Sequence, residues 1–259
     1  AFNTQNLETS QGIIRAAEKM KAPIILQTSV GSLEYAGVEE LVGLNKTLAR
    51  QAKVPVVLHQ DHCHDFELIK KLINLGYSSV MIDASHLPYK ENLKLTHAVV
   101  SYAHKRGVWV QAEIGRLLGS EDWQTVKTGE DLMTDPDQAA DFVARTGIDT
   151  LAVAVGTMHG IPVDPRIKKV LSTLHEPVDA KRLAAIHRKV KIPLVLHGAS
   201  GVADAQLRAA IREHVAIFNI DTDLRVAFNK ALRKNIKDHP EIYDPRKLFA
   251  PATAALQAE

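Results

Sequence analysis

A single cysteine, Cys63, excludes an internal disulfide from these 259 residues and fits a reducing compartment. An excess of one charge is also lacking. The 32 basic and 30 acidic residues leave +2, which implies no polyanionic partner, and no basic run interleaves with aromatics as a nucleic-acid surface would require. No apolar run approaches the roughly 20 residues that span a bilayer, and the N-terminus carries no signal-peptide pattern. These absences predict a cytoplasmic protein with neither nucleic acid nor membrane as partner. The 46% of hydrophobic residues can bury a large core, and the length suits one α/β barrel or two small domains. No low-complexity linker divides the chain, so a single domain over 1–259 is expected.

Apolar runs that end abruptly in polar residues dominate what is present. Val56-Val57-Leu58 runs into His59, Gln60, Asp61, His62, Cys63 and His64. Leu151 to Met158 ends in His159-Gly160, and Ile192 to Leu196 ends in His197-Gly198. Runs at 23–29, 54–59, 78–83, 108–113, 149–155, 193–197 and 215–221 read as strands. Helical spacing separates them, as at 7–20, 38–51, 66–75 and 91–105. Residues 118–134 read as a polar loop and 161–178 as an inserted loop or short helix; helices at 222–238 and 245–258 close the chain. Alternating strands and helices imply a parallel sheet with right-handed crossovers. Seven full strands fall one short of a closed (β/α)8 barrel. The simplest repair makes Phe2-Asn3 the tip of strand one, its upstream half lying before Ala1. An open doubly wound sheet is the alternative.

In such a barrel the strand ends converge, so one histidine of the 59–64 cluster, His159 and His197 would meet at one point. Three imidazoles and an open position form a catalytic metal pattern. Spacing alone does not choose among His59, His62 and His64. Asp61 would exchange a proton beside the metal, and Asp83 and Glu113 end the next two strands, pointing into the same mouth or serving as rim partners. His197-Gly-Ala-Ser-Gly201 and Asn219-Ile-Asp-Thr-Asp223 occupy the usual phosphate position of the fold. No lysine lies inside a strand; Lys21, Lys53 and Lys191 precede strands, at the end away from the mouth. Imine chemistry is therefore disfavoured, and a metal becomes the expected electron sink.

The ordered segments AFN, LHQDH, SVMIDASHLP, AEIGRLLGSED, LAVAVGTMHG, PLVLHGASG, FNIDTDLR and YDPRK resemble the class II, zinc-dependent fructose-bisphosphate and tagatose-bisphosphate aldolases along nearly the whole chain. The resemblance implies a (β/α)8 barrel in which His62, His159 and His197 bind Zn2+, choosing His62 from the cluster. It makes Asp61 the catalytic acid/base and Glu121 the acidic residue of a mobile loop, and it places Asp83 and Glu113 at a second or alternate divalent-metal position. Ser29 matches a substrate-contacting serine. Gly160, Gly198, Ala199, Ser200, Asn219, Asp221 and Thr222 match the dihydroxyacetone-phosphate and monovalent-cation (Na+ or K+) region. Arg246 matches an arginine that reaches the far phosphate across a dimer interface, so a homodimer or homotetramer follows. The implied reaction is reversible cleavage of fructose 1,6-bisphosphate to dihydroxyacetone phosphate and glyceraldehyde 3-phosphate. The alternatives are tagatose 1,6-bisphosphate, another ketose phosphate, or a non-catalytic partner subunit. This sequence departs from relatives at Cys63, at Met158, at Leu118 in place of a loop glycine, and in the run that follows Gly160.

Overall fold

Each apolar run that ends in a histidine or carboxylate forms a strand of one parallel sheet, in a computed structural model that describes residues 1–116, 118–121, 124–126, 133–160 and 178–259. For residues 118–121, 124–126 and 159 only the backbone is described. The sheet strands are β1 (Phe2–Asn3), β2 (Ile24–Thr28), β3 (Val56–Cys63), β4 (Ser79–Ile82) and β5 (Trp109–Ile114), followed after two further short strands by β8 (Thr150–Val153), β10 (Leu194–Leu196) and β11 (Val215–Phe218). They neighbour one another in that order, all parallel. Phe2 bridges Ile220 in parallel, and Ile220 N donates to Ala1 O at 3.0 Å, so the first strand meets the last and the sheet closes on itself. The eight-stranded barrel expected from seven full strands and the Phe2-Asn3 tip is the fold observed.

Two apolar layers follow from strand alternation. Inside the barrel Met81, Ala152 and Val195 form a small cluster with Ile217 beside it. Between strands and helices lies the larger core, with Leu26, Val80, Ile82, Val110, Leu151, Leu194 and Leu196 from the strands and Ile69, Leu72, Phe142, Leu183 and Ile186 from the helices. Full burial of such a side chain contributes about 1.5–3 kcal/mol, so this outer layer dominates the stability.

Several helices begin and end where their sequence signals predict. α1 (Leu7–Met20) opens on an Asn6–Thr9 capping box. α2 (Val30–Ala36) and α3 (Val38–Gln51) follow β2. α4 (Phe66–Leu75) starts at Asp65, whose side chain accepts from Glu67 N, and stops at Gly76 with φ 103°. α5 is Tyr89–His104, and α6 (Pro136–Thr146) carries the Asp135 cap and the proline of its first turn. α7 (Ala180–Lys189), α8 (Asp204–Arg212), α9 (Thr222–Asp238) and α10 (Pro245–Ala258) complete the ring. None of the described helices is long and apolar enough to cross a membrane.

Three local features differ from the sequence reading. α2 is an extra helix, too short to show a periodic stripe. Part of the expected polar loop is a hairpin, β6 (Leu118–Glu121) with β7 (Gln124–Val126), and β6 pairs in parallel with β9 (Met158–His159). His159 therefore does not end the sixth barrel strand, which stops at Val153. It lies in this second, three-stranded sheet, with its backbone in register with Gly119. The expected insert at 161–178 falls outside the described residues except for Val178, which is buried in the outer core.

Candidate active site at the barrel mouth

Strand β3 supplies Asp61 and His62, and a break in its regularity aims both the same way. Its register with β4 shifts between Gln60 and Cys63, and His62 takes φ 43°, the left-handed region. Consecutive residues of a regular strand face opposite sides. This bulge turns His62 back, so the imidazole joins the Asp61 carboxylate in the mouth, with Nε2 4.0 Å from Asp61 Oδ1.

Three amides hold Asp61. Asn3 Nδ2 and Gln27 Nε2 donate to Oδ2 at 2.9 and 3.0 Å, and Asn219 Nδ2 donates to Oδ1 at 3.2 Å. Asn3 and Gln27 are register partners on β1 and β2, while Asn219 follows β11, so the carboxylate is clamped across the seam that closes the barrel. Asn219, expected in the phosphate and cation region, also touches Asp61. Sequence reasoning missed Asn3 and Gln27 as site residues, because an amide inside a strand carries no spacing signal.

The two histidines are each fixed by an outer partner. His62 Nδ1 donates to Asp83 Oδ2 at 2.8 Å, and His197 Nε2 donates to Gln111 Oε1 at 2.9 Å. Burial opposes ionisation of Asp83, but hydrogen bonding and the charge of His62, with two further bonds from Ser85, hold its carboxyl down to about 2. An ionised carboxylate and an amide oxygen can only accept. The inner nitrogens, His62 Nε2 and His197 Nδ1, thus face each other across 2.6 Å, a hydrogen-bond distance, with the rings edge-on. Once the bridging proton is lost, both offer a lone pair to a cation at the mouth. Asp61, His62 and His197 have ligand atoms within 4.8 Å of one another, and all three are buried. A divalent ion with nitrogen and oxygen ligands fits this donor set, and the Asp83–His62 pair is the carboxylate–histidine support such ligands use.

Asp83 and Glu113 are buried with His62 rather than paired at the rim. His62, Asp83 and Glu113 form a second group of ligand atoms within 4.8 Å of one another, with Glu113 Oε2 3.9 Å from His62 Nδ1. His59 lies deeper, Nδ1 2.7 Å from Ser79 Oγ and Nε2 without a partner among the described residues. Burial, with His62 nearby, pushes its pKa down to about 3. The folded protein thus refuses a proton that the unfolded chain accepts near 6.5, and the penalty grows as pH falls between those values. Between pH 6.5 and 5 this one group is expected to remove about 2 kcal/mol of stability. Urea unfolding of the protein and of His59→Asn across that range checks this; equal pH slopes for the two would refute it.

The loop after β10 is set by a close approach. Gly198 has φ +61°, and a Cβ there would lie 2.3 Å from Met158 O, so only glycine lets the His197 loop pass the segment carrying His159. Ala199 N donates to Asn219 O at 3.1 Å. Ser200 Oγ accepts from Asp223 N, and Gly201 N donates to Asp223 Oδ2, where α9 begins with Thr222. Gly160 follows β9 with φ 72°. Ser29 caps α2, its Oγ 3.1 Å from Ser32 Oγ, at the mouth end of β2. Asp221 pairs with Arg225. Arg246 is not brought to the mouth: it is largely exposed on α10 and bound to Asp244. The backbones of Glu121 and His159 lie in one small sheet; their side chains lie outside the described residues.

A closed parallel barrel with imidazoles, carboxylates and an anion-suited loop at its C-terminal mouth has the layout of a barrel enzyme with a candidate metal centre. The family model for class-II fructose-bisphosphate aldolase matches residues 1–259. The YdjI aldolase from Escherichia coli K12 is 32% identical, with a TM-score of 0.81 over 99% of this chain and 86% of that one. A protein assigned as a candidate fructose-1,6-bisphosphate aldolase from Coccidioides immitis is 34% identical, TM-score 0.84, with the same coverages. The fructose-bisphosphate aldolase of Campylobacter jejuni, 24% identical with a TM-score of 0.79 over 99% of this chain and 86% of that one, shares the fold. The chain belongs to the class II fructose-bisphosphate aldolase family and is a lyase of the aldolase type.

Proposed function

We propose that this chain cleaves and forms a ketose 1-phosphate by a zinc-dependent aldol reaction, with fructose 1,6-bisphosphate as the first substrate to test and tagatose 1,6-bisphosphate or another ketose phosphate as alternatives. The observation that carries the reading is the pair of imidazole rings, each fixed by an outer acceptor, whose inner nitrogens converge beside a clamped carboxylate. His62 and His197, with His159, would hold the metal. The ion would polarise the ketose carbonyl and take up the negative charge released when the C3–C4 bond breaks.

Asp61 accepts the C4 hydroxyl proton in cleavage and returns it in condensation. Its three amide donors keep the accepting oxygen in place while the charge changes. Glu121 handles the proton at C3 of dihydroxyacetone phosphate. The Gly198–Gly201 loop and the start of α9 take the C1 phosphate through backbone N–H groups and hydroxyls, which fixes the reacting carbons in register. Arg246, unengaged with its own mouth, fits a role towards a second copy in a homodimer.

Chelator treatment is expected to abolish cleavage of the preferred ketose phosphate, and zinc add-back to restore it. Fructose and tagatose 1,6-bisphosphate assayed in parallel name the epimer. Cleavage that survives complete removal of metal, confirmed by elemental analysis, would overturn the reading.

A further inference from the structure

Asp83 supports His62 only while Asp83 is itself held. Its Oδ2 accepts from His62 Nδ1 at 2.8 Å, and its Oδ1 accepts from Ser85 N at 3.1 Å and from Ser85 Oγ at 2.8 Å. Ser85 belongs to a turn at 84–87, closed by Leu87 N donating to Ala84 O at 3.0 Å. The helix that follows, α5, starts at Pro88 without a side-chain cap, so no cap steadies the turn from that side.

What grips the turn is Arg116, half-buried just past the end of β5. Nε donates to Ser85 O at 3.2 Å and Nη2 to His86 O at 2.7 Å. An extended chain points consecutive carbonyls to opposite sides, so one planar fork takes both only where the chain turns. The guanidinium therefore selects this conformation of the turn, with hydrogen bonds from a charged donor, the stronger kind.

The base of the grip is fixed as well. At the end of β5, Glu113 O accepts from Asn92 Nδ2 at 3.1 Å, and Ile114 O accepts from Thr134 Oγ1 at 2.6 Å. Asn92 stands near the start of α5, and its Oδ1 is taken by Thr96 Oγ1 at 2.9 Å. The segment from the turn into α5 is thus joined to the end of β5 twice, by Arg116 before the helix and by Asn92 within it.

We propose that Arg116 is a positioning residue for the metal ligand His62. It fixes the main chain at Ser85, Ser85 fixes Asp83, and Asp83 fixes the Nδ1 side of the imidazole, which leaves Nε2 facing the mouth. The inference rests on the metal reading of the mouth given above. Outer partners of a metal ligand are typically worth about 10–100-fold in affinity, and Arg116, one link further out, belongs at the lower end.

The test uses Co2+ as the probe ion, because its visible bands report the number and geometry of its ligands. Metal-stripped protein is titrated with Co2+, and the melting temperature of each form is read without metal. Arg116→Met should bind Co2+ about tenfold more weakly than the parent, with altered bands. Arg116→Lys, which can grip one carbonyl but not both, should fall between the two. Ser85→Ala removes the Oγ bond to Asp83 and should also weaken binding. Because Arg116 acts through Ser85, the variant carrying both Arg116→Met and Ser85→Ala should lose less than the product of the two single losses.

Parent-like affinity and bands in Arg116→Met overturn the inference, even where the melting temperature falls, since Arg116 then serves the fold alone. Losses that multiply fully in the double variant overturn it too, because two separate routes would then reach the site. Should Arg116→Met not fold, the same cycle is run with Arg116→Lys, and the same two outcomes decide. No Co2+ binding by the parent removes the metal reading and this inference together. Binding by the parent with unaffected variants removes only the inference.

Discussion

Asp61→Asn is expected to lower kcat for aldol cleavage about a thousandfold, within the 10²–10⁴ range associated with a positioned general acid–base. Bound metal should be retained, because His62 and His197 keep their outer partners Asp83 and Gln111. The variant is nearly isosteric, so the loss lies in proton transfer rather than in shape. A smaller cost in stability accompanies it. Both oxygens of Asp61 accept amide N–H groups, and an asparagine can offer an oxygen to only one side. Turned towards Asn3 and Gln27, it sets its own N–H₂ against that of Asn219, which costs about 1–3 kcal/mol for the unmatched buried groups. The kinetic measurement is kcat with metal content determined on the same sample. Activity within about tenfold of the parent would remove Asp61 from the role of catalytic acid–base.

Gly198→Ala is expected to be the most damaging change outside the charged groups. The added methyl would meet Met158 O at 2.3 Å, Met158 C at 2.7 Å and Met158 N at 3.0 Å. All three are backbone atoms, so no side chain can swing away, and the φ of +61° disfavours alanine in its own right. Left-handed backbone costs a non-glycine residue about 1–2 kcal/mol, and overpacking typically adds about 1–3 kcal/mol. One of two segments must move: the loop that aims His197, or the strand that carries His159. Weaker zinc binding is therefore expected together with a drop in melting temperature. Zinc titration by calorimetry and thermal melts of the apo and metal-loaded forms read the two effects. Unchanged zinc affinity in a destabilised variant would show that the close approach serves packing alone.

The parts of the site legible in the sequence were those that strand periodicity leaves visible. His197, Asp83 and Glu113 close apolar runs, and each stands at the C-terminal end of its strand. Asp61 was legible by its place among the histidines, but the choice of His62 over His59 and His64 was not. It depends on a bulge, and the alternation rule that locates strands is the rule a bulge breaks. Asn3, Gln27 and Gln111 escaped because a buried amide in a strand looks like any polar interruption. Its purpose appears only when the register brings Asn3 beside Gln27 and the closed sheet brings both to Asp61. The strand at 118–121 lies in a stretch whose composition predicts a loop, since Leu-Gly-Ser-Glu has neither alternation nor β-branched residues to mark a strand. The closure itself was legible from arithmetic: seven strands, a barrel that needs eight, and two residues left over at the start.

The Asp61 clamp joins points remote along the chain. Asn219 lies 158 residues from Asp61 and Asn3 lies 58, while Ala1 N donates to Phe218 O across 217 residues. Contacts of such separation close the largest loops and form late in folding, and parallel strands are slow to pair. Each half of the chain can build its helices and its share of the sheet before the two ends find each other. On dilution from denaturant, far-ultraviolet circular dichroism should therefore recover ahead of enzymatic turnover. Docking of the first strand against the last is then expected to come late, and it is the event that sets Asp61 in place.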